Sequence, residues 1–146
     1  AGCIFVRMPI NTQTYQTELQ VRPDDIDMFQ HVHSSRYIGY VLAARYEQME
    51  RCYKMPMQEF LKHGLGWVIR NASIDYKRPL RLAEYMLVET RFEEMAKDTV
   101  KVVFRILRKE NKKVCAEGYF YYTMINLQTG RAEVIPDWII ERYSQQ

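Results

Sequence analysis

Residues 21–45 read VRPDDIDMFQHVHSSRYIGYVLAAR. The first half has no clean hydrophobic period. It places three carboxylates, Asp24, Asp25 and Asp27, and two imidazoles, His31 and His33, within ten residues. The second half switches to helical spacing: Tyr37, Ile38, Val41, Leu42, Ala44 and then Met49 recur at a period near 3.6 through about Cys52. Ala43 beside Ala44 widens the apolar stripe, so much of this helix is expected to be covered. Ser34 or Ser35 suits its N-cap, because a serine oxygen accepts from the free N–H groups of a first turn. An acid-rich loop therefore runs directly into the tip of a buried helix.

The flanks supply a sheet. Thr14–Val21, TYQTELQV, alternates and is rich in β formers, which predicts a first strand. After the long helix, Pro56 suits the first position of a short second helix, and Gly64 the position after its end. Strands are predicted over Trp67–Lys77, Tyr85–Phe92, Val100–Leu107 and Val114–Leu127. Turns fall at Glu94–Asp98, Glu110–Lys112 and Gln128–Gly130, and Pro136–Tyr143 reads as a short helix or tail. Proline cannot donate to a ladder, so Arg78-Pro79 ends its strand. Strands segregated from helices in this way give an α+β class, with one antiparallel sheet covering one apolar helix.

Composition narrows the functional classes. The chain has 146 residues, which is the size of one domain over 1–146, with 47% hydrophobic and 27% charged residues. A net charge of +3 is a mild excess that suits a small anionic ligand but not nucleic acid. No apolar run reaches the roughly 18 residues of a membrane span. The opening AGCIFVRMPI is interrupted by Arg7 and Pro9, too short an apolar run for a signal peptide. Cys3, Cys52 and Cys115 are far apart with no CxxC, which argues for a reducing, cytoplasmic setting and against a disulfide framework. The eleven tyrosines sit largely at alternating strand positions, which is packing on two sheet faces rather than base stacking.

Three readings of the Asp/His cluster stay open from the residues alone. Loops are rich in solvated Asp in any protein. Asp and His are metal ligands, although no HxxxH or HExxH is present. The third reading is catalysis: a helix tip offers unpaired N–H groups and partial positive charge to an oxyanion, and a carboxylate just upstream activates water or attacks an acyl carbon. There is no GxSxG, and the cysteines lack a partner base. Hydrolysis of an activated acyl group fits, and a thioester fits best, because thiolate leaves without strong acid assistance.

The motif resembles the signature of hotdog-fold acyl thioesterases, which include the 4-hydroxybenzoyl-CoA thioesterase type and the acyl-carrier-protein thioesterases. Their pattern Asp-x-x-x-His-Val-Asn-Asn-x-x-Tyr, often with Asp two residues earlier, is matched in register by Asp25, Asp27, His31, Val32 and Tyr37. Tyr37-Ile38-Gly39-Tyr40-Val41-Leu42 looks like the carrier-protein branch. Asp75-Tyr76-Lys77-Arg78-Pro79-Leu80 resembles the family's second-strand ending, and Asn126 to Arg131 with Ile135-Pro136 its last turn and tail. The resemblance implies a hotdog fold, a five-stranded antiparallel sheet around a long central helix. It implies Asp27 as nucleophile or general base, backbone N–H near Ser34 as oxyanion hole, and an acyl chain lying along the helix at a subunit interface, beside Tyr37 and Val41. His31 stands with Asp27 in the motif. Lys77, Arg78 and Arg81 form a basic cluster that suits CoA or phosphopantetheine phosphates, or is simply a solvated strand end.

The expected substrate is an acyl-CoA or acyl-carrier-protein thioester, with no cofactor or metal, no nucleic-acid or membrane partner, and assembly as a homodimer or homotetramer. Phe29, Leu42 and Pro79 stand where the family often has polar or acidic groups, and His33-Ser34 replaces its Asn-Asn. Those departures motivate a rival: a non-catalytic hotdog protein that binds acyl thioesters. A hotdog dehydratase is a further rival, but the helix from Tyr37 to Met49 has no His for that chemistry.

Overall fold

The protein is described by a computed structural model over residues 10–144; Cys3 and most of the opening apolar run lie outside the described residues. In chain order the elements are β1 (Tyr15–Gln20), α1 (Tyr37–Arg51), α2 (Met57–Lys62), β2 (Leu65–Tyr76), β3 (Tyr85–Ala96), β4 (Thr99–Arg108), β5 (Val114–Asn126) and α3 (Asp137–Ser144). The five strands form one sheet in the order β1-β3-β4-β5-β2, and every pairing is antiparallel. The order follows from hairpin connections between β3, β4 and β5, with β1 and β2 added at the two edges. This α+β arrangement, a long helix on one face of a five-stranded sheet, is the hotdog fold.

Helix α1 buries Tyr37, Tyr40, Val41 and Ala44 against Met86, Val88, Phe104, Ile106 and Phe120 of the sheet. Phe104 and Phe120 stack with ring centroids 4.9 Å apart. Each such fully buried side chain contributes about 1.5–3 kcal/mol of hydrophobic stabilisation. A second cluster, including Met49, Tyr53, Phe60, Phe92, Met124 and Tyr143, joins the far end of α1 to α2 and α3. Gln48 lies wholly inside this packing, where Nε2 donates to Thr17 Oγ1 at 3.0 Å and Oε1 accepts from the Thr90 hydroxyl. That pair of bonds ties the helix to β1 and β3 and satisfies a buried amide that would otherwise be costly. At Gly118 a Cβ would come within 1.9 Å of the Ser73 carbonyl oxygen, so this position admits only glycine if β2 and β5 are to pair as they do.

Two local expectations are corrected. The run Glu94–Asp98 is not a turn: β3 continues to Ala96 with Met95 buried opposite Val100, and only Lys97 and Asp98 turn the chain, Lys97 at φ 54°. A bulge between Phe92 and Glu94 lets this polar stretch remain in the ladder. The cap of the central helix is also not a serine. Ser34–Arg36 form a 3₁₀ turn ahead of α1, and the His33 ring accepts from Ser35 N at 3.2 Å while Nδ1 meets Ser35 Oγ at 2.7 Å.

The segment between β1 and α1 is held by Asp25. Its buried carboxylate accepts from the Tyr40 hydroxyl of α1 and faces Arg36 Nε at 3.6 Å and Arg22 Nε at 3.8 Å. The Tyr40 oxygen accepts in turn from Arg22 N at 3.0 Å. Burial, more than the neighbouring carboxylate, pushes the Tyr40 phenol up to about 12. Tyr40→Phe removes one hydroxyl from two such partners at once. We expect a loss of about 1–3 kcal/mol in stability, read as a lower urea midpoint at unchanged slope. An unchanged midpoint would show that this contact does not hold the segment.

Candidate active site

Three neighbouring aspartates have three different fates. Asp24 is exposed and paired with exposed Arg22 at 2.8 Å, which holds its carboxyl below the usual carboxylate range. Asp25 is the buried anchor just described. Asp27 is half-buried and opens onto a cavity. The chain around it is folded into a tight loop: Ile26 bridges Val32, Asp27 N donates to His31 O at 2.9 Å, and Gln30 takes a left-handed φ of 66°. Asp27 Oδ1 accepts from Phe29 N at 2.9 Å and from His31 N at 3.4 Å. These bonds fix the carboxylate as an Asx turn does. Oδ2 has no hydrogen-bond partner among the described residues, so one oxygen is anchored and the other is available for chemistry.

The same loop is clamped to the sheet connection. Val32 N donates to Leu80 O at 2.8 Å and His31 bridges Arg81. Leu80 N donates to the Tyr37 hydroxyl at 3.3 Å, and the Tyr37 and Tyr76 rings meet edge to face at 5.2 Å. Burial pushes the Tyr37 phenol up, so it stays a neutral wall. Tyr76 donates its hydroxyl to Ser34 O at 2.8 Å and so fixes the peptide at the start of the 3₁₀ turn. The N–H of Ser34 donates to nothing among the described residues. It is an orphan donor of the kind that opens every helix.

A shallow cavity of about 380 Å³ brings Asp27, His31, His33, Ser34, Tyr37, Tyr76, Arg78 and Pro79 together. Of the residues singled out in the sequence, Asp27, His31, Ser34, Tyr37 and Arg78 line it. Arg78 donates through Nη1 to Val114 O at 2.7 Å. Lys77 does not line it and pairs with Glu117 at 3.6 Å on the exposed side of the strand end. Val41 is fully buried in the core, so it packs the helix onto the sheet and does not line this cavity. Tyr76 was not singled out as a site residue, although the strand-ending motif Asp75-Tyr76 was the available signal; His33, named in the Asp/His cluster but not given a role, lines the cavity as well. No group of three or more His, Cys, Asp or Glu among the described residues could hold a metal ion.

The departures from the motif also have positions. Phe29 is 72% exposed at the loop tip, and Leu42 faces a different, apolar cavity of about 470 Å³. Pro79 shares the cavity with Asp27, as do His33 and Ser34, which stand in place of the Asn-Asn pair. The second cavity lies beside α1, α2 and β2, between Leu42, Arg45, Tyr46, Met57, Trp67 and Ile69 among others. Sequence reasoning missed it, because its polar member, Arg45, sits on a helix face that reads as ordinary amphipathic surface.

Known proteins share this architecture. Long-chain acyl-CoA thioesterase FadM of Escherichia coli K12 is 24% identical over 130 residues, covering 89% of this chain and 97% of that protein. Acyl-CoA thioester hydrolase YbgC of Escherichia coli O6:H1 is 24% identical over 102 residues, 70% of this chain and 75% of that protein. The crystal structure of DHNA-CoA thioesterase from Staphylococcus aureus superposes with a TM-score of 0.82 at 18% identity, over 90% of this chain and 89% of that one. The profile of the thioesterase-like superfamily matches residues 21–143, from just after β1 to the last helix. The chain belongs to the thioesterase-like superfamily.

Proposed function

We propose that this chain hydrolyses acyl-CoA thioesters, with Asp27 and the N–H groups at the Ser34 turn as its reacting groups. The observation that carries the reading is the convergence of an anchored carboxylate and an orphan helix-tip donor on one cavity. The named activities of FadM and YbgC support the same chemistry. In the proposed step a water adds to the acyl carbon as Asp27 Oδ2 takes its proton. The carbonyl oxygen becomes an oxyanion facing the Ser34 N–H. Collapse breaks the C–S bond, and the proton returns from Asp27 to the departing thiolate. Direct attack by Oδ2, giving an anhydride that water then opens, uses the same atoms. His31 contributes to the wall of the cavity, and Arg78 is placed to meet a phosphate of the carrier. An acyl carrier protein is a second possible donor of the same thioester.

Removing the acid tests this directly. Asp27→Asn keeps an oxygen for the Phe29 and His31 N–H groups but cannot accept a proton. We expect thiol release from acyl-CoA to fall by roughly 10²–10⁴-fold with the fold retained. Equal turnover by this variant would eliminate Asp27 as the reacting group. Absence of turnover by the unaltered protein across chain lengths would favour the non-catalytic binding reading.

Assembly is part of the proposal. Among the described residues strand β2 is a sheet edge paired only with β5, and Ile69 and Tyr76 on it are 39% and 50% exposed. Leu42 and Tyr46 of α1 add exposed apolar surface next to it. A second copy would cover this edge and close the groove along the helix. Light scattering at micromolar concentration should give at least twice the 17.6 kDa chain mass. A stable monomer that turns over thioesters normally would contradict a shared groove.

A further inference from the structure

The apolar cavity beside α1 contains a buried cation that the reaction above does not use. Arg45 is only 8% exposed, and its Nε and Nη1 have no hydrogen-bond partner among the described residues. It takes part in no ion pair among the described residues. Its faces are covered by aromatic rings: the guanidinium carbon lies 5.0 Å from the Phe92 centroid and 5.7 Å from that of Tyr53. Burial, opposed by this cation, pushes the Tyr122 and Tyr143 phenols up. The rings therefore hold the plane in place and leave donors at its edge unsatisfied. A buried guanidinium without an anion carries a large desolvation penalty, which the two aromatic faces offset only in part.

We infer that this cavity selects acyl groups that end in a carboxylate, with Arg45 as the residue that binds the distal anion. The inference rests on the thioesterase reading and names the substrate class for it. Arg45 lies eight residues beyond Tyr37, which walls the Asp27 cavity, and that is ~12 Å along the helix axis. In the proposed pose an extended acyl chain of about ten carbons, its thioester at Asp27, spans that axial rise toward the guanidinium. Leu42, Tyr46, Met49 and Trp67 supply the apolar flank for the methylenes. The terminal carboxylate would accept charge-assisted hydrogen bonds from the guanidinium, whereas a methyl terminus would leave that cation without an anion.

The test measures binding, so that it does not depend on turnover. The probes are two CoA thioethers of equal carbon count, one ending in a methyl group and one in a carboxylate. The unaltered protein should bind the carboxylate-ended thioether about tenfold or more tightly. Arg45→Met, which keeps the volume of a buried side chain, should abolish or invert that preference, and Arg45→Lys should keep part of it. Equal affinities in the unaltered protein, or an equal loss for both probes in Arg45→Met, would overturn the inference. Should Arg45→Met fail to fold, as judged by its melting curve, the unaltered protein and Arg45→Lys decide. Thiol release from the matching thioesters separates the two proposals. A carboxylate preference in binding with no turnover of either thioester sinks the hydrolase reading and leaves this inference standing.

Discussion

The buried carboxylate of Asp25 is the constraint on which the site depends. A charged group at 7% exposure is tolerable only when it is hydrogen-bonded and paired. Its partners come from three places: Tyr40 on α1, Arg36 in the turn ahead of α1, and Arg22 just after β1. Satisfying that one anion fixes the end of the first strand, the acidic loop and the start of the helix relative to one another. Asp27 lies two residues along and inherits its position. His33 N donating to Asp25 O at 2.9 Å carries the same constraint to the turn that precedes the helix. The neighbouring carboxylates can then do different work, because one is spent on structure and the other keeps an oxygen open.

The sheet matters to the chemistry mainly as a rigid backing. Ridge residues of α1 sit on Phe104, Ile106 and Phe120, so the helix cannot shift without opening the core. The β2 ending and the connection to β3 then reach back to the loop through Tyr76 to Ser34 O and Leu80 to Val32 and Tyr37. A site made of loop, helix tip and strand end is precise only if all three are tied together. Here the ties are backbone bonds and two tyrosine hydroxyls, which have few rotamers to order.

The fold was legible in the sequence to a large degree because its signals are local. Apolar spacing from Tyr37 to Met49 marks the helix, and alternation from Val100 to Leu107 marks a strand. Where the reading failed, tertiary packing had overridden local chemistry. Glu94 to Asp98 looks like a turn, but Met95 is buried and the bulge at Glu93 keeps the strand in the ladder. Serines ahead of α1 look like caps, but Arg36 occupies the N-cap of α1 without a side-chain bond, and the His33 ring caps the 3₁₀ turn that precedes it. The candidate site was legible through the order of Asp27, His31 and Tyr37, which the fold brings onto one cavity. What separated Asp27 from Asp24 and Asp25 was the motif's register, since adjacent acids have the same local pattern whatever each one touches. The resemblance put Val41 beside the acyl groove, but it is fully buried against the sheet, and helical spacing alone cannot tell the buried face from its rim. Arg45 was invisible for the opposite reason: a lone arginine on a helix reads as solvated until three dimensions bring Phe92, Tyr53 and Tyr122 around it.

The central claim is that the open oxygen of Asp27 and the free N–H at Ser34 converge on one acyl carbonyl. A crystal structure with a CoA analogue that keeps the carbonyl but replaces the scissile sulfur by methylene tests it most directly. The account predicts the carbonyl oxygen about 3 Å from Ser34 N, with Asp27 Oδ2 facing the carbonyl carbon directly or across one water. A carbonyl bound elsewhere, with Asp27 still facing only solvent, would contradict it.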